Sequence, residues 1–157
     1  TTPQKMLDTS WRERVRALDD SRYVRYDEQT ATRLEDMARR LLEQYKGDLR
    51  RLRARAGGDV EQERALLKEF KGIGDTAADI FFREVQGVWP EVYPFLDSRA
   101  VEAAQRLGLP DDARELASMT VTPERFIRLV AALVRVNIEH RYEMVKKKVS
   151  ELPTAKV

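Results

Sequence analysis

The sequence contains no cysteine. That excludes disulfides, thiolate zinc sites, iron–sulfur clusters and a cysteine nucleophile, and it accords with a reducing cytosol. There is one histidine, His140, too few to define a metal site and a poor basis for a Ser-His-Asp triad. No apolar run approaches the ~20 residues of a membrane span, and no signal peptide is visible. Charge of one sign is missing too. The 29 Lys and Arg barely exceed the 27 Asp and Glu, for a net charge of +2. Bulk charge therefore gives no strong vote for nucleic acid, and any basic surface has to be local. Strand signals are nearly absent. "VQGVW" is the one β-like stretch, and it is short and isolated.

What remains is a 157-residue chain, 42% hydrophobic and 36% charged. It is globular rather than disordered, and long enough to bury a core as one domain or a small pair. The pattern is helical almost throughout. Thr2 before Pro3 reads as an N-cap with proline at the first helical position. Ser10 caps a second short helix with Trp11, Val15 and Leu18 on one face. A long helix runs from about Asp27 to Lys46 and ends at Gly47. Asp48 caps "LRRLRARA", Gly57-Gly58 is a break, and Asp59 opens a helix with Leu66, Leu67 and Phe70 apolar. Further helices are expected over about 75–86, 98–107 and 112–118. Thr122-Pro123-Glu124 starts a last one that carries Phe126, Leu129, Val130, Leu133, Val136 and Asn137 on one side and continues to about Val149. The fold class is all-α, a bundle of helices with short connections.

One short stretch carries the chemistry. In "EFKGIGDTAADIFF", residues 69–82, Gly-Ile-Gly separates two helical runs. The glycines permit positive φ, so the chain can turn within three residues, and Ile73 can anchor the turn in the core. The helix that follows begins with N–H groups that have no internal partner, and these together with the helix dipole attract an anion. A tight turn of this kind can therefore build a phosphate-binding end without a basic side chain. A plain helix–helix turn is the competing reading. A dinucleotide fingerprint is not, because no strand precedes the turn and Ala77 stands where G-x-G-x-x-G needs its third glycine.

The segment "LLKEFKGIGDTAADIFF" resembles the helix–hairpin–helix of the endonuclease III family of DNA glycosylases. Downstream, "GVWPEVYPFLDSRAVEAAQRLGLP" is similar to that family's Gly/Pro-rich loop, which ends in an aspartate and runs into a helix closing with Arg-Leu-Gly. Upstream, "TPQKMLDTSWRERVRAL" and "ATRLEDMARRLLEQYKGDL" follow the same order. The resemblance covers about residues 2–145.

It implies a single DNA-glycosylase-like domain, with the hairpin at about 60–86 and a C-terminal helix at about 123–149. Backbone N–H groups of Gly72, Ile73, Gly74 and the turn after Asp75 would hold a phosphate of double-stranded DNA, with a monovalent cation at the hairpin and no other cofactor or metal. Thr76 and Arg99 join these as DNA contacts, and Lys71, which stands where the family usually has proline, either reaches a phosphate as well or is simply solvated. Asp97 would be the catalytic carboxylate of base removal, stabilising positive charge on the sugar or activating a water, with the target base turned out of the helix. Its competing role is to cap the helix starting near Ser98. Family members that also cut the strand carry a lysine where Thr76 stands. Threonine forms no Schiff base, so the implied enzyme removes a base and stops. Asp75 brings negative charge to the anion-binding end, and its competing role is again a helix cap. The chain begins Thr-Thr rather than Met, and the family's opening helices are expected to be trimmed or lacking.

Other candidates have a use and a bland alternative. Arg50, Arg51, Arg53 and Arg55 suit phosphate contact, or form a solvated face balanced by Glu61 and Glu63. Trp89, Tyr93 and Phe95, with Tyr23 and Tyr26 from the other irregular segment, suit a base pocket. Alternatively, they pin their loops to the core. Lys146, Lys147 and Lys148 read as a basic tail. The sequence thus leads to a monomeric, cytoplasmic DNA-repair protein, nucleoid-associated in a bacterium. Two alternatives stay open: a non-catalytic helix–hairpin–helix DNA-binding module, and a helical protein-interaction domain.

Overall fold

A computed structural model describes residues 2–151. Thr1, on which the expectation of a trimmed start turns, lies outside them. The described chain is all-α, ten helices with no strand among the described residues. It divides into two compact units, Thr1–Ala78 and Asp79–Val157.

The first unit contains α1 (Pro3–Asp8), α2 (Trp11–Asp20), α3 (Asp27–Tyr45), α4 (Arg50–Ala56) and α5 (Val60–Lys68). Its helix starts follow local chemistry. Thr2 accepts from Lys5 N–H, and Ser10 with Glu13 forms a complete capping box. Asp59 accepts from Gln62 N–H. Asp48, two residues before α4 begins, accepts from Arg50 N–H at 2.9 Å. The end of α3 is made by Lys46, left-handed at φ 52°, followed by Gly47 at φ 79°. α3 is the hub: α1 and α2 pack on it, while α4 packs on α5. Ala31, Ala38, Tyr45, Leu52, Leu67 and Phe70 are buried, and the Tyr45 and Phe70 rings stack at 6.0 Å.

Periodicity misassigns the buried face of α2. Trp11 is exposed and hydrogen-bonds Thr32 through its indole N–H, whereas the buried residue is Arg14, 5% exposed. Its guanidinium donates to the carbonyls of Met6, Thr9 and Ala31 and pairs with Glu35. A cation tolerates that environment because nearly every N–H finds an acceptor. One side chain thus ties α1, the α1–α2 link and α3 together. In α5 the fully buried position is Glu63, one of the acids expected to balance the arginine stretch.

The second unit holds the rest of α6 (Asp75–Val85), then α7 (Ser98–Leu107), α8 (Ala113–Ser118), α9 (Pro123–Glu139) and α10 (Tyr142–Ser150). Asp112 and Thr122 cap α8 and α9. α7 packs on α9, and α8 and α10 add to the pair. The core is Ala100, Ala103, Ala104, Leu116, Phe126, Val130, Leu133, Val134 and Tyr142. Three alanines on α7 let its backbone approach α9 closely. The C-terminal helix does not run unbroken to about 149. It stops at His140, which adopts φ 53°, and α10 restarts at Tyr142. The turn lets Tyr142 enter the core, where its hydroxyl accepts from Asn137 at 2.9 Å and Arg106 lies 5.0 Å over its ring. His140 is an exposed helix terminator.

Arg14→Met should lower unfolding free energy by about 2–4 kcal/mol, because three carbonyls lose their donor and Glu35 keeps only Arg39. Chemical denaturation measures it. A change below about 0.5 kcal/mol, the range of an indifferent surface substitution, would show that Arg14 is not the tie described here.

Candidate nucleic-acid interface

α5 and α6 are joined by the turn Glu69–Gly74. The reversal is made at Gly72, where φ is 93°. A side chain there would be strained in conformation, and its Cβ would meet Arg33 Cδ at 3.3 Å. Ile73 is half-buried and its N–H donates to Phe70 O at 2.9 Å. That amide is internal to the turn, so Ile73 anchors it and drops out of the set of amides open to a ligand.

Gly74 differs from Gly72. Its φ is not in the left-handed region, and an added Cβ would meet nothing within 4 Å. Its carbonyl accepts the first helical bond, from Ala78 N–H at 3.0 Å. Gly74 therefore occupies the capping position of α6 with no side chain to cap it. The N–H groups of Gly74, Asp75 and Thr76 find no acceptor among the described residues. α1, α2, α5, α7, α8 and α9 have a side-chain cap, while α3, α4 and α10 have none. Neither backbone strain nor packing accounts for glycine at 74; its effect is to leave amides in open space at the positive end of an eleven-residue helix.

Asp75 was expected to repel phosphate or cap the helix. It is the first residue of α6 and does not cap. Its carboxylate takes a hydrogen bond from Lys68 Nζ at 2.7 Å, with Arg64 at 3.7 Å. The Lys68 hydrogen bond, then the Lys68 and Arg64 charges, hold its carboxyl below the ordinary aspartate value. Two cations on one carboxylate largely offset the expected repulsion. Thr76 is exposed beside it. Lys71 is also exposed, its ammonium 3.3 Å from Asp36. Of the arginine stretch, Arg50 pairs with Asp48, while Arg51 and Arg55 are solvated. Tyr26 precedes α3, about half exposed, with Arg25 over its ring at 5.2 Å.

Asp97 lies in the second unit. It is 5% exposed and both oxygens are engaged. Oδ1 caps α7 by accepting from Ala100 N–H at 2.8 Å, and Oδ2 accepts from Arg83 Nη1 at 2.8 Å. A groove of about 430 Å³ in this unit is lined by Arg83, Glu84, Ala131, Val134, Arg135, Ile138 and Glu139. Asp97 is not among them. Arg99 is exposed in the first turn of α7.

The loop before Asp97 is pinned to the core. Trp89 is 4% exposed and meets Phe81 edge-on at 5.3 Å. Tyr93 meets Phe126 at 5.4 Å, and Phe95 leans on Phe82 at 5.7 Å. Buried Gln86 accepts from Phe95 N–H at 3.0 Å and donates to Arg83 O at 2.9 Å. The pocket role foreseen for Trp89 and Tyr93 gives way to loop packing, because these rings already face other rings. Sequence reasoning missed Arg83 and Gln86. Both sit on the α6 side and are tied to the loop by tertiary contact, which no local signal announces.

Among the described residues no group of three or more His, Asp or Glu side chains could hold a metal ion, and no helix is long and apolar enough to cross a membrane. No protein-family model matches the chain, and no curated protein or solved structure matches it either.

The two glycines should separate by stability. Gly72→Ala should lower unfolding free energy by about 1–2 kcal/mol through left-handed strain, while Gly74→Ala should cost less, about 0.5 kcal/mol, because alanine is only the poorer of the two at a helix cap. Equal losses in a denaturant titration would contradict the assignment. Lys68→Gln should raise the titration midpoint of Asp75, followed by side-chain NMR. Because folding depresses this carboxyl, its stabilising pair is complete above the unfolded-state value and is lost as pH falls through the folded-state value. An unmoved midpoint would remove Lys68 as the cause.

Proposed function

We propose that the chain is a helix–hairpin–helix protein of DNA-glycosylase-like fold that binds duplex DNA through a backbone phosphate at the α5–α6 turn. The observation that carries this is Gly74: glycine, a favoured capping residue, where neither strain nor packing requires it, ahead of amides that find no acceptor among the described residues. A phosphate oxygen brought to those N–H groups supplies the missing acceptors and meets the positive end of the helix dipole. Lys71, Thr76 and Asp75, its charge offset by Lys68 and Arg64, flank it. A monovalent cation at the hairpin would draw on its carbonyls, of which those of Gly72 and Ile73 accept no hydrogen bond among the described residues. Such contacts position a protein on DNA without reading its sequence.

Of the two DNA readings, binding without chemistry has the better support. Asp97 is committed to a helix cap and to Arg83, and it is buried. Base removal is the second reading. The order of turn, loop and aspartate in the chain favours it, and the lysine-free position at Thr76 would restrict it to base release.

In fluorescence anisotropy with a short labelled duplex, binding should weaken steeply as salt rises. Gly74→Val should lower affinity by roughly tenfold, the effect of about one strong contact, with the fold kept by circular dichroism and only a small loss of stability from the poorer helix cap. Salt-insensitive or absent binding would point to the protein-interaction alternative, and unchanged affinity in the variant would remove the turn from the interface. Incubation with damaged and mismatched duplexes separates the two DNA readings. Release by wild type, abolished in Asp97→Asn with affinity kept, would establish the enzyme. No release across the panel leaves binding alone.

A further inference from the structure

One face of α3 meets the α5–α6 turn through three residues in register. Arg40 pairs with Glu69 and lies over the Phe70 ring at 5.5 Å. Asp36, one turn earlier, pairs with Lys71. Arg33, one turn earlier again, reaches Gly72: its Cδ, Nε and Cζ lie 3.3, 3.5 and 3.8 Å from the place a Cβ would take. The spacing of 33, 36 and 40 puts the three on one helical stripe, so the side chains run along 72, 71 and 69 like successive rungs.

The first two rungs are charge pairs and the third is not. Arg33 faces a residue with no side chain, is exposed, and makes no ion pair or hydrogen bond among the described residues. The two neighbouring rungs fix the turn against α3, and the Arg33 stem lies against the backbone of Gly72. That places a fork of guanidinium donors beside the turn with its charge unanswered. A residue with any side chain at 72 would push it away. Guanidinium forks bind phosphate oxygens with two parallel N–H bonds.

We propose that Arg33 is a phosphate-binding residue of this interface, its unpaired guanidinium completing from α3 the contact that the turn amides begin. The proposal deepens the DNA reading given above and rests on it. Glycine at 72 then has two functions, the left-handed bend and the room for Arg33.

The test uses the full chain, a short labelled duplex and a salt series. Wild type is compared with Arg33→Gln, Arg33→Lys and Lys46→Gln. Lys46 is exposed at the opposite end of α3, roughly 20 Å along the axis, and controls for loss of one surface charge. Arg33→Gln should weaken binding roughly three- to tenfold and flatten the slope of log affinity against log salt by about 0.9, one phosphate contact. Arg33→Lys should keep the slope and lose less affinity, since it retains the charge without the fork. Lys46→Gln should match wild type. Salt-dependent wild-type binding with an unchanged slope in Arg33→Gln overturns this proposal alone. Equal loss in Lys46→Gln also overturns it, by showing a diffuse charge effect. Absence of wild-type binding overturns this proposal together with the reading beneath it.

Discussion

A helix start without a cap is the constraint around which the first unit is arranged. Backbone N–H groups are obligatory donors, and structures satisfy nearly all that are taken from water. Six other helices of this chain recruit Thr, Ser or Asp for that purpose, and α3, α4 and α10 do without. α6 begins behind glycine, and its amides stay open to solvent or ligand. The surroundings hold that end in position rather than cover it. Gly72 supplies the bend, Ile73 fastens it through Phe70 O, and Arg40 and Asp36 clamp Glu69 and Lys71 from α3. The clamp residues sit on a helix that is itself locked by buried Arg14. Order therefore propagates from one guanidinium through α3 to a three-residue turn. A binding end built of backbone needs that rigidity, because it has no side chain with which to adapt.

The second unit uses the same devices for a different purpose. Asp97, Arg83 and Gln86 form a closed set of partners that fixes the loop ahead of α7. Three aromatic contacts do the same for its rings. Asp97 gives one hydrogen bond's worth of each oxygen to the α7 cap and to Arg83, and it is 5% exposed, so burial limits the approach of a sugar or water to its remaining acceptor sites. Burial and pairing at Asp97 are what a structural aspartate requires, and they weight the account toward binding.

The local signals in the sequence carried far. Caps at Thr2, Ser10, Asp59, Asp97, Asp112 and Thr122 are written within four residues of the helices they start, so they can be read without tertiary knowledge. The Gly-Ile-Gly turn is legible for the same reason. What was not legible depends on partners distant in sequence. Arg14 looks like any charged residue on a polar face until Met6, Thr9, Ala31 and Glu35 converge on it. His140 gives no sign that the last helix breaks, because its left-handed turn is driven by the docking of Tyr142. Arg33 appears as one cation in a charged helix, and only its register against Asp36 and Arg40 shows that it alone lacks a pair. The roles of Gly72 and Gly74 likewise separate only once φ and the space around each are known.

The most direct measurement is amide NMR of the isotope-labelled protein titrated with an undamaged duplex. Hydrogen bonding to a phosphate moves an N–H resonance strongly and locally. The account predicts that the Gly74, Asp75 and Thr76 amides shift most and in concert, while Ile73, whose N–H is held by Phe70, shifts little. Silent resonances at 74–76 alongside large shifts elsewhere would contradict it.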